Sequence, residues 1–116
     1  MTTDDNKTGS GAAVLDELAA VIAARRDASV ETSYTASLLA EGVERCAQKF
    51  GEEAVEFIIA ATSTDLSKVK AEGADVLYHL LVTLEAVGVS PSEVYAVLKA
   101  RAGRSGLAEK ASRETG

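Results

Sequence analysis

The chain has 116 residues and a formal net charge of −6; 47% of its residues are hydrophobic but only 4% are aromatic. That length argues for one domain, and the acidic balance argues against nonspecific nucleic-acid binding, which needs a basic face. No apolar run reaches the ~18 residues of a membrane span, so no membrane association is expected, and the single Cys46 rules out an intrachain disulfide.

Residues 1–11, MTTDDNKTGSG, have neither the basic start nor the apolar stretch of a secretory signal. They are expected to form a flexible N-terminus on a cytoplasmic protein. A single helical domain is expected over 12–103. Small aliphatic residues and Ala dominate it, which favours helix-on-helix packing. The first helix is expected over about 12–27, with Leu15, Leu18, Ala19 and Ile22 at core spacing and Arg25 and Arg26 in the last turn, where cations suit the dipole. Ser33 is a good N-cap for a short helix through Ala40, which Gly42 ends. The third helix is expected over about 43–62 and the fourth over about 66–87, with caps offered by Ser63, Thr64 and Asp65 and a stop at Gly88. Ser90, Pro91 and Glu93 make a capping box with Pro at N1, starting a helix over about 91–102. That last helix is expected to turn Val94, Val97 and Leu98 inward. Residues 104–116 read as a polar tail. No strand alternation is visible, so the fold class is all-α, a bundle of roughly four to five helices.

At roughly 100° per residue, Val43, Ala47, Phe50, Ala54, Phe57, Ile58 and Ala61 share one face of the third helix, which predicts that this face meets the core. Lys49, Glu53, Glu56 and Ala60 fall on the strip beside it, with Glu52 adjacent, and Val55 and Ile59 lie beyond on a second apolar patch. On the fourth helix Glu72, Asp75 and His79 share a stripe that apolar residues surround on nearly all sides, the pattern of a central bundle helix. Carboxylates one helical turn apart repel unless a cation lies between them. Two antiparallel helices can therefore turn Glu52, Glu53, Glu56, Glu72 and Asp75 toward one cavity. An all-oxygen donor set suits Mg²⁺, or Mn²⁺, better than zinc. The plainer alternative is a solvated acidic face. His79 stands one turn after Asp75, which makes an Asp–His hydrogen bond plausible beside a purely structural role. Lys49 is either an ion-pair partner of Glu53 or a phosphate contact. Gly73 costs a helix about 1 kcal/mol relative to Ala. Close approach of another group is one reason for it. There is no zinc cluster and no Walker-type loop, and Val76 breaks the Glu-x-x-His pattern of a di-iron bundle.

Three segments, Ser33-Tyr34-Thr35-Ala36, the run from Ala47 to Glu56 (AQKFGEEAVE) and the run from Ala74 to Leu81 (ADVLYHLL), together resemble the phosphoribosyl-ATP pyrophosphatases of histidine biosynthesis. These are a branch of the all-α nucleoside triphosphate pyrophosphohydrolase (MazG-like) superfamily. The resemblance spans about residues 14–101. It implies a nucleotide-binding hydrolase that cleaves 1-(5-phosphoribosyl)-ATP to phosphoribosyl-AMP and diphosphate. It carries metal and acid positions over to Glu52, Glu53, Glu56, Glu72 and Asp75, with Glu53, Glu56, Glu72 and Asp75 holding Mg²⁺. Substrate contacts are expected from Tyr34, Lys49 and His79, and from Arg104, Lys110 and Arg113 of the tail, which would fold over the phosphates. The resemblance and the patch at Val55 and Ile59 both point to a homodimer that completes the bundle. A housecleaning enzyme for other nucleoside triphosphates and a non-enzymatic helical interaction module remain as alternatives.

Overall fold

The computed structural model describes residues 11–103 and Arg113. Among them the chain is all-α, with five helices: α1 (Ala13–Ala24), α2 (Tyr34–Glu41), α3 (Val43–Ala61), α4 (Leu66–Val87) and α5 (Pro91–Ala102). The expected first helix ends early, because its last residues, Arg25–Asp27, tighten into a 3₁₀ turn. Arg26 does more than meet a helix dipole. Its Nε lies 2.9 Å from Oε2 of Glu85, and its Nη2 donates to the Glu85 carbonyl at 2.6 Å, tying the end of α1 to the end of α4.

The caps follow the local chemistry. Ser33 Oγ accepts from the Ala36 amide at 3.1 Å, and Asp65 Oδ1 accepts from the Lys68 amide at 3.2 Å. Glu93 Oε2 accepts from the Ser90 amide at 2.8 Å, closing the capping box. Gly42 and Gly88, at φ 96° and 84°, adopt backbone angles that a side chain disfavours, and each ends a helix there.

Helix α4 is the hub. It packs along α3 and also meets α1 and α2. The core is a cluster of Ile22, Leu38, Leu39, Cys46, Leu81 and Val82, flanked by Leu15, Leu18 and Ala19. Cys46 is the buried apolar residue expected of it, with its thiol 3.3 Å from the Leu38 carbonyl. Ser33 caps α2 from a buried position, and His79 is the other buried polar residue.

Two packing expectations are corrected. The face of α3 that turns inward runs through Cys46, Phe50, Glu53, Phe57 and Ala60, not through Val43, Ala47, Ile58 and Ala61, which are exposed. Ile58 is 59% exposed while Ala60 is 1% exposed. The acidic strip thus lies along the α3–α4 seam and the broader apolar face is left uncovered. Helix α5 does not turn Val97 and Leu98 inward either. It leaves α4 at a bend of 109°, which carries both side chains away from the core, and of the three residues expected inside only Val94 is half-buried. Val89, Val94, Val97 and Leu98 instead line an open groove of about 340 Å³. No single helix among the described residues is long and apolar enough to cross a membrane.

Gly73 sits opposite Phe57 across the α3–α4 seam. A Cβ there would meet the ring at 3.5 Å, an ordinary van der Waals distance. Nothing in the seam therefore requires glycine. Gly73→Ala is expected to raise unfolding stability by about 0.5–1 kcal/mol through helix propensity. Urea denaturation of the two proteins checks this, and a loss of stability would mean that the seam closes more tightly than this.

Candidate functional site

The seam brings three carboxylates together. One oxygen each of Glu53 on α3 and of Glu72 and Asp75 on α4 lie within 4.8 Å of one another. They arrive there because Glu53 occupies the inward stripe of α3, while Glu72 and Asp75 are one turn apart on α4. Glu53 and Glu72 are half-buried and Asp75 is exposed. The Glu72 carboxyl is pushed above its ordinary value by desolvation, then by the charges of Asp75, Glu53 and Glu56. Lys49 reaches Glu53 at 3.6 Å, but one ammonium leaves three crowded carboxylates in a half-desolvated seam short of counter-charge. A divalent cation would supply it, and an all-oxygen set of this spacing is suited to a hard ion.

The remaining predicted acids differ in place. Glu56 is exposed on α3 but close enough to add to the field on Glu72. Glu52 lies further out and is engaged elsewhere. Its Oε2 accepts from Gln48 Nε2 at 3.3 Å, and its Oε1 is 3.6 Å from Lys49 Nζ. Lys49 also lies 3.6 Å from Oε2 of Glu53. The Tyr34 phenol and the two carboxylates hold the Lys49 ammonium above its ordinary value, so it stays cationic beside the acids.

His79 is only 6% exposed. Its expected bond to the Asp75 carboxylate is not made. Nδ1 instead meets the Asp75 main-chain carbonyl at 2.8 Å, one helical turn back, which the ring reaches without competing for the carboxylate. Nε2 lies 3.3 Å from the Tyr34 hydroxyl. The structure therefore brings Tyr34, Lys49 and His79 to the edge of the acidic seam. The N-terminal stretch 1–10 and the predicted contacts at Arg104 and Lys110 lie outside the described residues, and Arg113 is described as exposed.

Tyr78 and Thr35 were not singled out for the site by sequence reasoning. Their side-chain hydroxyls meet, and the Tyr78 ring packs against both Tyr34 and His79. The available signal was the pairing of two adjacent dyads, Tyr34-Thr35 with Tyr78-His79, but only the fold shows that α2 crosses α4 at that height.

A family model described as phosphoribosyl-ATP pyrophosphohydrolase matches residues 15–102. Among curated relatives, the phosphoribosyl-ATP pyrophosphatase of Cereibacter sphaeroides is 58% identical over 100 residues, covering 86% of this chain and 97% of the relative. That of Parvibaculum lavamentivorans is 58% identical over 102 residues, covering 88% and 94%. The protein of the same name from Ruegeria pomeroyi is 54% identical over 103 residues, covering 89% and 98%.

Proposed function

The chain belongs to the phosphoribosyl-ATP pyrophosphohydrolase family, and from that premise we propose that the α3–α4 seam is where it hydrolyses 1-(5-phosphoribosyl)-ATP to phosphoribosyl-AMP and diphosphate, a step of histidine biosynthesis. The observation that carries the assignment to this seam is the convergence of Glu53, Glu72 and Asp75 within 4.8 Å. Glu53, Glu72 and Asp75 would hold Mg²⁺, or Mn²⁺ in its place, with Glu56 beside them. Such a cation would supply positive charge to the phosphate oxygens and Lewis acidity at the reacting phosphorus. The chain's own residues do the rest. A carboxylate of the seam orients the attacking water and takes its proton as the new P–O bond forms and the bond to the diphosphate oxygen breaks. Lys49, cationic beside Glu53, balances phosphate charge that the acidic seam would otherwise repel. Glu52 keeps Lys49 at the edge of the site.

A second copy of the chain completes the bundle. The uncovered apolar side chains of Val55, Ile58, Ile59, Leu66 and Leu77 on α3 and α4 support this, because scattered exposed residues are ordinary but a run of them on one hairpin marks an interaction surface. A cytoplasmic location goes with a substrate and products that are all phosphorylated metabolites.

The test is direct. With Mg²⁺ present, the protein is expected to convert phosphoribosyl-ATP to phosphoribosyl-AMP and diphosphate in equal amounts, with kcat/KM far above that for ATP and a panel of other nucleoside triphosphates. Comparable or better turnover of the panel would favour the housecleaning reading, and no turnover at all would favour a helical interaction module.

A further inference from the structure

Of the three tyrosines, Tyr34 alone is exposed, at 53%, yet it is held in place from several sides. A carbonyl oxygen cannot donate, so the contact between His79 and the Asp75 carbonyl puts a proton on Nδ1. In the neutral ring Nε2 is then an acceptor, and the Tyr34 hydroxyl donates to it at 3.3 Å. The Tyr34 ring lies nearly parallel to that of Tyr78, with centroids 6.3 Å apart and 21° between the planes. His79 stands edge-on to both, at 6.1 Å and 4.9 Å. Tyr78 is in turn held by Thr35. A ring fixed in this way, with much of its surface open, is a preorganised stacking platform.

Its place relative to the acids matters. Through His79 the ring is tied to the main chain of Asp75, and Lys49 lies 3.6 Å from Glu53, which joins Glu72 and Asp75. Carboxylates, an ammonium and an aromatic ring thus border one edge of the seam. These are the groups that the phosphates and the base of a nucleotide would meet.

The substrate named above poses a discrimination problem. ATP carries the same triphosphate, so neither the carboxylates nor Lys49 can reject it. The two differ at N1, where the substrate carries a phosphoribosyl group, and that alkylation also makes the adenine ring basic enough to hold a proton, and a positive charge, at neutral pH. A cationic ring gains from an aromatic face what a neutral one does not.

We infer that Tyr34, anchored by His79, is a specificity-determining contact on which the N1-alkylated, positively charged adenine stacks in preference to neutral adenine. This rests on phosphoribosyl-ATP being the substrate. The preference is worth about tenfold, from the ordinary strength of a partly desolvated cation–π contact.

Wild type, Y34F and Y34L are compared, with helix content checked by circular dichroism. Calorimetry measures the affinity of 1-methyl-AMP against AMP, which removes the phosphoribosyl group and leaves only the charge on the base. Kinetics measure kcat/KM for phosphoribosyl-ATP against ATP. Wild type should favour 1-methyl-AMP about tenfold, and Y34F, which keeps the ring, should retain most of that preference. Y34L should bring the two ligands close to parity, and should lower kcat/KM for phosphoribosyl-ATP about tenfold while changing that for ATP less than about threefold. Equal or undetectable binding of both ligands by wild type overturns the inference, as does a preference that survives in Y34L or an equal loss for both substrates. A wild type that fails to hydrolyse phosphoribosyl-ATP overturns the functional reading itself, and the kinetic arm reports that separately from the binding arm.

Discussion

Glu72→Gln is expected to cut Mg²⁺-dependent turnover of phosphoribosyl-ATP by about 100-fold or more, and at the same time to stabilise the metal-free protein. Both signs come from one cause. Desolvation and the charges of Asp75, Glu53 and Glu56 raise the Glu72 carboxyl above its ordinary 4.5. The folded chain then binds that proton more tightly than the unfolded chain does, so ionised Glu72 opposes folding. The penalty is absent below the ordinary value, grows as pH rises from there through the raised one, and is complete above it. Gln removes it. The melting temperature of the variant should therefore exceed that of wild type at neutral pH without metal, and the gap should close in acid. Mg²⁺ should raise the melting temperature of wild type much more than that of the variant. Its affinity for wild type should weaken as pH falls through the raised value, because proton and cation compete for the same oxygens. Thermal melts with and without Mg²⁺, beside steady-state rates, read all of this. Near-normal Mg²⁺-dependent turnover in the variant would sink the assignment of Glu72 to the metal. A lower metal-free melting temperature would show that the carboxylate is already neutralised within the chain.

Charging the uncovered face of α3 should take the protein apart. Val55 and Ile59 are one turn apart and 53% and 56% exposed. Each apolar side chain of this size contributes about 1.5–3 kcal/mol when fully buried. A two-fold contact counts each position twice, so the double substitution V55D/I59D touches four side chains. Allowing for the half of each that the monomer already shields, the loss is about 3–6 kcal/mol, before any repulsion among the new charges. That weakens a dimer by about 10²–10⁴-fold. Sedimentation equilibrium at micromolar concentration should then show a dimer for wild type and a monomer of lower melting temperature for the variant. A wild type that sediments as a folded, active monomer at that concentration would end the proposal.

The starts of α2, α4 and α5 and the ends of α2 and α4 were legible in the sequence because each rests on a local signal, whereas α1, with no side-chain cap, ended before the expected residue. Ser33, Asp65 and the Ser90–Glu93 box accept from amides within three residues of themselves. Gly42 and Gly88 end helices through their own φ angles. The clustering of acids was legible for a similar reason, since turn-by-turn spacing alone puts Glu72 beside Asp75. The resemblance carried by the three segments pointed to the same family as the comparisons. One expectation that failed shows the limit of spacing within a helix. His79 does stand one turn after Asp75, but the partner it takes is the main-chain carbonyl and not the carboxylate.

What the amino-acid sequence determined by itself was the set of helices, the two acidic clusters and the chemistry that five carboxylates in two clusters can support. It did not determine which face of each helix turns inward. Helical periodicity sorts residues into faces, but a face becomes interior only when another element covers it. On α3 two apolar patches competed, and the seam with α4 took neither as its centre; it took the stripe of Cys46, Phe50, Glu53, Phe57 and Ala60. On α5 the bend of 109° after α4 left Val97 and Leu98 outside, although their spacing was that of a core face. The meeting of Tyr34 with His79, 45 positions apart, depends on α2 crossing α4 at the height of Asp75. Such contacts come from the rigid-body packing of whole helices, which the interactions of all their side chains fix together, and no stretch of sequence holds that information alone.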